Sequence, residues 1–412
     1  INEVADEIAK LENEKLELEA RYNSEKELVK KVIALRGKLN SSSDEQLPSD
    51  EDRQQLDSLQ LQLDNIQENQ PMVPVQVDGS VIADVISGWT GIPVGKMVSD
   101  EIKSIINLGS HMSDYIIGQS DAISEISKRI QTARANLNEP GKPTGVFLLV
   151  GPSGVGKTET AIALADLLYG GEEKMITINM SEYQEAHTVA GLKGAPPGYV
   201  GYGSGGVLTE AVRRNPYSVI LLDEFEKAHP DVGELFYQVF DKGMLEDSEG
   251  QEVNFKNSLI IMTSNLGAEA IIDACIERPD RPSSQELIDL IRPHLQSHFK
   301  AALLGRMSII PYLPLNNEEY GKIVEIKLAK IKTRIMDRYN ASLSYNSDVI
   351  ERIVASCEEI ESGARVVDRI LNQTLLPGLS GKVLDKIATG DSFQNIKISL
   401  SYDNDFEYHF ED

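Results

Sequence analysis

One segment of eight residues guides the interpretation of the whole chain: Gly151-Pro152-Ser153-Gly154-Val155-Gly156-Lys157-Thr158. It matches the phosphate-binding pattern GxxxxGK(S/T) at every fixed position. An apolar run at 145–150 precedes it and a helix-forming run at 159–165 follows it, which is the strand–loop–helix context that the pattern requires. A chance glycine-rich turn is the alternative, and the complete match in this context argues against it.

The chemistry of this loop follows from its residue types. Its glycines let consecutive backbone N–H groups turn inward around a polyphosphate, and the N-terminus of the following helix adds positive partial charge. Lys157 is expected to reach the β- and γ-phosphates, and the Thr158 hydroxyl is expected to ligate Mg²⁺. The sequence therefore predicts a chain that binds a nucleoside triphosphate with Mg²⁺.

Composition limits the other classes of function. The 412 residues exceed one typical domain, so two or three units are expected. A formal net charge of −25 argues against nucleic acid as a partner. Cys275 and Cys357 lie far apart without a CxxC pair, so neither a disulfide framework nor a zinc site is expected.

Hydropathy indicates where the protein resides in the cell, and the first residue indicates the extent of the chain. The apolar runs fall short of the ~18 residues that span a bilayer, and no signal-peptide pattern opens the chain. We therefore expect a cytoplasmic protein that does not contact a membrane. Because the first residue is Ile1 and not Met, we also expect the chain to be part of a longer protein.

The first region, residues 1–72, is predicted to be a helical hairpin. Apolar residues recur at spacings of three and four within 4–39 and again within 56–66, which is typical of coiled-coil helices. The polar residue Glu25 fills a position that this spacing skips. A serine-rich loop at 40–50 separates the two helices.

The rest of the chain is predicted to be an α/β core followed by a lid. Residues 73–317 are expected to form a large subdomain with a parallel sheet flanked by helices, because β-branched runs alternate with helical segments. Residues 318–412 are expected to form a small, mainly helical lid with a strand-like tail at 395–401. The predicted strands of the core are 145–150, 175–179, 218–222 and 258–263.

Two of these strands end in polar residues that suit hydrolysis. Asp223 and Glu224 follow the run 218–222, where an aspartate can hold Mg²⁺ and a neighbouring glutamate can polarise the attacking water. Asn265 follows the third strand and could orient the same water or sense the γ-phosphate. Taken alone, these would be ordinary solvated strand ends, and the phosphate loop upstream favours the functional interpretation.

Two arginines are candidates to complete the site. Arg306 is flanked by apolar residues, and an arginine supplied across a subunit boundary stabilises transition-state charge. Arg365 opens a helix in the lid and could reach the nucleotide from there. A surface salt bridge is the alternative for each, and the residues alone do not decide between the two.

A glycine-rich segment at 196–203 points beyond nucleotide binding. It places Tyr199 and Val200 between glycines. A mobile loop that grips a polypeptide through apolar contact is one interpretation, and a tight turn with a partly buried tyrosine is the other. The residues leave both open.

Six motifs together resemble one family of ATPases. They are GPSGVGKTETA at 151–161, LLDEFEKAHPDV at 221–232, MTSNLGAE at 262–269, GYVGYG at 198–203, WTGIPVGKM at 89–97 and SGAR at 362–365. Over residues 75–400 the chain resembles the second module of the Clp unfoldases, an AAA+ family, and residues 1–70 resemble half of that family's coiled-coil middle domain. The segments 241–247, 303–307 and 372–377 are similar to the ClpV branch, which recycles contracted type VI secretion sheaths, rather than to the ClpB disaggregases.

The resemblance implies a role for each motif residue around ATP. Asp223 assists Mg²⁺, Glu224 activates water, Asn265 senses the γ-phosphate and Arg365 senses the nucleotide from the lid. Arg306 acts as a finger on the ATP of the neighbouring subunit. The remaining residues that it implies are Ile116 and Ile117 beside the adenine, and Tyr199 and Val200 in a central pore. Phe225 stands where a branched residue is usual, and only a change in packing is expected from it.

The resemblance also implies a motor. We expect a homo-hexameric ring that threads polypeptide through its pore, with contracted type VI sheath as the protein substrate. A ClpB-type disaggregase is the nearest alternative, and a nucleotide-dependent scaffold that never hydrolyses is an alternative from another class. A protease-feeding role is disfavoured because 266–285 has no apolar-glycine-aromatic motif, and DNA remodelling is disfavoured by the acidity.

Overall fold

The computed structural model describes residues 2–40, 50–67, 72–77, 81–82, 85, 99–195, 205–277, 281–357, 363–389, 391, 393–402 and 404–411. The chain divides into two compact units, residues 1–96 and residues 97–412. Among the described helices, none is long and apolar enough to cross a membrane.

In the first unit, helices α1 (Asn2–Asn40) and α2 (Asp50–Gln67) pack against each other as the apolar spacing predicts. Val29 and Val32 of α1 and Leu63 of α2 are buried between them. The predicted loop between the helices lies, apart from its ends, outside the described residues.

Glu25 is fully buried in this unit, although the sequence suggests only a polar filler position. Its carboxylate accepts hydrogen bonds from Arg21 Nε at 3.0 Å, Gln67 Nε2 at 3.1 Å, and the backbone N–H groups of Met72 at 2.8 Å and Val73 at 3.1 Å. Burial raises the pKa of this carboxyl, but the hydrogen bonds, led by Gln67, outweigh it and leave the pKa below its ordinary value. The network joins α1 to the chain that follows α2.

The second unit begins with helices and a five-stranded sheet. The helices up to this sheet's last strand are α3 (Ser99–Ile106), α4 (Leu108–Tyr115), α5 (Ser120–Arg134), α6 (Lys157–Tyr169), α7 (Ala186–Lys193), α8 (Val207–Arg214), α9 (Pro230–Lys242), α10 (Ala268–Ile276), α11 (Ser284–His298) and α12 (Ala301–Leu304). The strands are β1 (Gly145–Val150), β2 (Met175–Asn179), β3 (Val219–Asp223), β4 (Met244–Glu246), β5 (Glu252–Asn254), β6 (Leu259–Ser264) and β7 (Ser308–Pro311).

The large sheet is parallel, with strand order β2-β3-β6-β1-β7, and this confirms the predicted fold class. The four predicted strands are present, two of them shifted by one residue, whereas β7 and the β4–β5 hairpin were not predicted. Side chains alternate between two cores along each strand. On β1, Phe147 and Leu149 join one buried cluster and Leu148 and Val150 join the other.

The C-terminal part contains helices and a second sheet. Its elements are α13 (Asn317–Tyr339), β8 (Ser342–Tyr345), α14 (Ser347–Ala355), α15 (Arg365–Ile370), α16 (Leu376–Thr389), β9 (Asn395–Leu400) and β10 (Phe406–Glu411), with a π-helical turn at Leu371–Leu375. The predicted strand-like tail is one strand of a three-stranded sheet with order β10-β9-β8. Strands β8 and β10 were not predicted: β8 has only four residues, whereas β10 alternates apolar and polar residues as a strand with one packed face does, so its signal was present and was missed.

Parallel strands place their carboxyl ends at one edge of the sheet. Val150 pairs with Ser264 in register, and Leu222 pairs with Met262. The residues that follow β1, β3 and β6 therefore meet at this edge, which is where ligands bind in open α/β sheets.

Candidate nucleotide-binding site

The phosphate loop runs from the end of β1 to the start of α6, as predicted. Gly156 directly precedes the helix with a φ of +102°, a conformation that a side chain would strain. Tyr312 anchors both ends of the loop. Its N–H donates to the carbonyl oxygen of Val150, the residue before the loop, at 2.7 Å. The Tyr312 hydroxyl also forms a buried hydrogen bond with the Thr160 hydroxyl of α6 at 2.7 Å.

Lys157 is the centre of the site. Its Nζ donates to the carbonyl oxygens of Gly151 at 2.5 Å and Pro152 at 2.8 Å, and to Asn265 Oδ1 at 2.8 Å. All three acceptors are neutral, and Lys157 is only 8% exposed. Burial lowers the pKa of the ammonium to about 8, although the nearby carboxylates of Glu226 and Asp223 counteract this. A buried cation surrounded by neutral oxygens fits a polyphosphate anion.

Thr263 of β6 organises the two acids after β3. Its hydroxyl donates to Asp223 Oδ1 at 2.5 Å and accepts from the Glu224 N–H at 3.0 Å. Glu224 has a φ of +55°, which is unusual for a residue with a side chain and turns it away from the strand direction. The predicted pair thus lies at the sheet edge beside the phosphate loop.

The residues present also fit Mg²⁺. Thr158 offers a hydroxyl and Asp223 a carboxylate, both hard oxygen ligands. Within the described part of the chain, no group of three or more histidine, cysteine, aspartate or glutamate side chains could hold a metal by itself.

Glu224 is ionised and held by two residues that the sequence analysis missed. Its Oε2 accepts from Lys227 Nζ at 2.8 Å and from the Ser181 hydroxyl at 2.8 Å. These two hydrogen bonds, first that from Lys227, keep the pKa of Glu224 below its usual range. Lys227 three residues further along the chain was a usable signal, whereas Ser181 follows β2 and reaches Glu224 only through the sheet.

Asn265 connects the sensor position to the loop. Its side chain accepts from Lys157, and its N–H donates to Glu226 Oε1 at 3.2 Å. The other oxygen of Glu226 is buried and has no hydrogen-bond partner among the described residues. Glu226 is a further residue that the sequence analysis did not single out, and its charge contributes to the field at Lys157.

Arg365 faces the site from the C-terminal part. The N–H of Ala364 donates to the carbonyl oxygen of Gly154 at 2.8 Å, which brings the start of α15 onto the phosphate loop. The positive charge of Arg365 lowers the pKa of both Lys157 and Glu224. The structure therefore brings Arg365 together with the loop and the acids.

The contacts of Arg306 lie away from the phosphate loop. Its Nε donates to Asp241 Oδ1 at 3.1 Å, its Nη1 donates to the carbonyl oxygen of Ala302 at 3.0 Å, and its guanidinium stacks 4.1 Å from the ring centre of Tyr237. These partners belong to α9 and α12, not to the phosphate loop. A role on a neighbouring subunit's nucleotide stays a prediction.

Ile116 and Ile117 follow α4. Ile116 is 3% exposed, and its Cγ2 lies 3.5 Å from where a Cβ on Gly156 would be, so Ile116 is adjacent to the loop. Tyr199 and Val200, the predicted pore residues, lie outside the described residues.

Phe225 packs as expected for a change confined to the core. It is 1% exposed, stacks on Phe299 with ring centres 5.4 Å apart, and meets Phe236 edge-on at 6.1 Å. A cavity of about 620 Å³ adjoins this cluster between α9 and α12 and includes Gly233 and Leu303.

Comparison with known proteins agrees with this geometry. A family model described as AAA domain (Cdc48 subfamily) matches residues 142–310, and one described as the C-terminal, D2-small domain of ClpB protein matches residues 315–397. A closed-state cryo-EM reconstruction of Hsp104 with ATPγS and casein is similar, with a TM-score of 0.71 and 31% identity, over 81% of this chain and 56% of that one.

Two curated relatives are equally similar in sequence. The AAA+ ATPase ClpV1 of Pseudomonas aeruginosa is 47% identical over 409 residues, which is 95% of this chain and 45% of that protein. The chaperone protein ClpB of Yersinia enterocolitica is 47% identical over 371 residues, which is 89% of this chain and 42% of that protein. The chain thus spans less than half the length of these relatives. With an AAA domain and the D2-small domain that follows it both matched, and the parallel sheet in place, the chain belongs to the AAA+ ATPases of the Clp class.

Proposed function

We propose that this chain hydrolyses ATP as the second AAA+ module of a protein unfoldase. The observation that carries the proposal is the Lys157–Asn265 hydrogen bond at 2.8 Å, which joins the phosphate loop to the sensor strand. The ionised Glu224 lies at the same sheet edge. A phosphate-binding cation, a polar sensor and an ionised base at one edge are the parts that phosphoryl transfer to water requires.

Each residue of the site has its own role in binding or hydrolysing ATP. The loop N–H groups and Lys157 bind the phosphates, with Ile116 and Ile117 beside the adenine. Mg²⁺, held by Thr158 and Asp223, would neutralise charge on the β- and γ-phosphate oxygens. Glu224 leaves Lys227 and Ser181 to accept a proton from the attacking water.

Three further groups act on the γ-phosphate or its transition state. Asn265 orients the water or the γ-phosphate, and Arg365 contributes positive charge from the lid. Arg306, whose contacts within the chain are with α9 and α12, acts on the ATP of a neighbouring copy, as the resemblance to the Clp class implies.

The mechanical output rests on the resemblance to the Clp class. We propose a homo-hexameric cytoplasmic ring in which Tyr199 and Val200 grip a polypeptide and draw it through the pore. Contracted type VI sheath is the substrate that similarity to ClpV1 suggests. Aggregated protein is the second candidate, because ClpB of Yersinia enterocolitica shares the same 47% identity and the small-domain family model is that of ClpB.

Turnover of ATP by the wild-type chain and by Glu224→Gln tests the enzymatic proposal. The variant should bind ATP normally and hydrolyse it at least 100-fold more slowly, as loss of a general base predicts (on the order of 10²–10⁴-fold). Glu318→Gln, an exposed carboxylate of α13 paired with Lys322, is the matched control. If wild type and Glu224→Gln turn over equally slowly, the chain is a nucleotide-dependent scaffold instead. Release of sheath subunits against recovery of aggregates by the full-length protein separates the two substrates.

A further inference from the structure

Arg281 connects three parts of the second unit. Its Nη2 donates to Glu319 Oε2 at 2.7 Å, and its Nη1 donates to the carbonyl oxygen of Gly118 at 3.3 Å. Arg281 lies between α10 and α11, Gly118 directly follows Ile117, and Glu319 lies in the first turn of α13. One guanidinium therefore joins the turn beside the adenine position to the helix that begins the C-terminal part.

Glu319 is fixed from both sides of this junction. Its Oε2 also accepts from the N–H of Asn316 at 2.9 Å, in the capping box that starts α13. A Cβ on Gly118, whose φ is +82°, would lie only 2.6 Å from Glu319 Cδ, so the turn lies directly against the Glu319 carboxylate. The Glu319 side chain is 12% exposed against 40% for Arg281, so Arg281 closes the outer side of the contact.

The neighbouring residue extends the connection to the phosphates. Gln119 is 2% exposed, and its Nε2 donates to the carbonyl oxygens of Val155 at 3.3 Å and Leu313 at 2.9 Å. Its Oε1 accepts from the Leu313 N–H at 3.0 Å. Residues 118–119 thus contact the phosphate loop, the link between β7 and α13 and, through Arg281, the loop after α10.

Asn265, at the sensor position, is also connected along the chain to Arg281. The N–H of Ala268, the first residue of α10, donates to the carbonyl oxygen of Asn265 at 3.1 Å. Along the chain, α10 lies between Asn265 and Arg281. The strand end at the phosphates and the contact at α13 are therefore separated by a single short helix and its following loop.

We propose that Arg281 is a positioning residue of the nucleotide site, which holds the start of α13 against the Gly118 turn and so keeps the adenine side closed around bound nucleotide. The proposal rests on the proposed function, because Ile116 and Ile117 define that side. Loss of the contact speeds nucleotide release, while Lys157 and Glu224 keep their geometry. Partly exposed Arg–carboxylate contacts of this kind predict a rise in Kd of about fivefold, which is about 1 kcal/mol at about 1.4 kcal/mol per factor of ten.

The test measures the Kd and release rate of a fluorescent ADP, together with kcat and KM for ATP, on the full chain. The variants are Arg281→Gln, Glu319→Gln and their double, and glutamine at Glu319 can keep the capping box. Glu318→Gln is the matched control: Glu318 lies on the same helix and pairs with Lys322 at 2.8 Å, and its substitution removes the same charge as Glu319→Gln. Arg281→Lys, which keeps the charge but not the two-armed geometry, should recover part of the affinity.

The proposal is supported if each single variant binds ADP about fivefold more weakly and the double variant loses no further affinity. The variants should also show a higher KM for ATP with kcat within about twofold of wild type, and Glu318→Gln should keep the wild-type Kd. Additive effects in the double variant, an equal loss in Glu318→Gln, or an unchanged Kd in Arg281→Gln would overturn the role of Arg281. If the wild-type chain does not bind ADP, or if Lys157→Ala binds it equally well, the nucleotide site itself is refuted. These outcomes are distinct, since the first group presupposes normal binding by wild type.

Discussion

The pKa of Lys157 predicts how nucleotide affinity depends on pH. In the free chain this pKa is about 8 because the ammonium is buried. A bound polyphosphate favours the charged form and raises the pKa well above that value. Binding above pH 8 must therefore take up a proton, and affinity falls as pH rises. The protonated fraction of a group with this pKa is about 0.9 at pH 7 and about 0.09 at pH 9, so the Kd for ADP should rise about tenfold.

Calorimetric titration at pH 7, 8 and 9 measures this effect directly. Repeating the titration at pH 8.5 in two buffers of different ionisation enthalpy should show uptake of about 0.8 proton per ADP. Burial raises the pKa of Cys275 and of Cys357 above that of an ordinary thiol, so these groups stay protonated through most of this range. A constant Kd from pH 7 to 9 without proton uptake would refute the reasoning, because it would mean that Lys157 is already fully charged before nucleotide binds.

The lowered pKa of Lys157 also makes the free energy of unfolding depend on pH. The folded-state pKa of Lys157 lies below that of the unfolded chain, 10.5, so the charged form destabilises the free fold at neutral pH. This cost disappears as pH rises from about 8 to about 10.5. Relative to Lys157→Met, the wild-type free energy of unfolding should therefore increase by about 3 kcal/mol across that window, as measured by urea denaturation.

Substitutions at three further positions test hydrogen bonding and packing in the two units. Glu25→Ala leaves four donors without their acceptor and should destabilise the helical hairpin by about 2–3 kcal/mol, measured by thermal circular dichroism, whereas Glu25→Gln should lose less because it keeps an acceptor oxygen. Tyr312→Phe removes the buried hydrogen bond to Thr160 and should cost about 1 kcal/mol in chemical denaturation; no loss would mean that the hydroxyls do not pair. Gly233→Ala in α9 should instead stabilise the chain by about 0.5–1 kcal/mol, since its Cβ would meet only Leu303 Cδ2 at 3.3 Å, and a lower melting temperature would show that this contact cannot adjust.

The elements with strong periodic patterns were predictable. The runs that became β1, β3 and β6 are apolar because both faces of a covered parallel sheet are buried, and this produces continuous hydrophobic segments. The run that became the edge strand β2 instead alternates, with Thr177 and Asn179 exposed. Strand β7 was missed because its four residues, Ser308–Pro311, are too few to show a period. Glu25 was misjudged for a related reason, since periodicity reports where apolar residues lie and cannot show which polar residue will be surrounded by donors.

The candidate site was partly predictable for the same physical reason. Asp223, Glu224 and Asn265 lie at or just after strand ends, and Lys157 closes the loop after β1. Parallel strands end at one edge of a sheet, so a parallel sheet predicts that these residues share that edge. Arg365 approaches because its neighbour Ala364 bonds to Gly154 of the phosphate loop from more than 200 residues away along the chain, a contact that local sequence does not encode.

By itself, then, the amino-acid sequence determined the phosphate loop, the strands with their terminal acids and the class of ATPase, because these depend on local backbone geometry and on hydrophobic period. The tertiary structure decided which partners surround the charges. Ser181 and Lys227 hold Glu224, burial lowers the pKa of Lys157, and Arg281 reaches Glu319 and Gly118. Apart from the nearby Lys227, these partners come from distant elements or from the low polarity of a packed interior, and both exist only once the chain has folded.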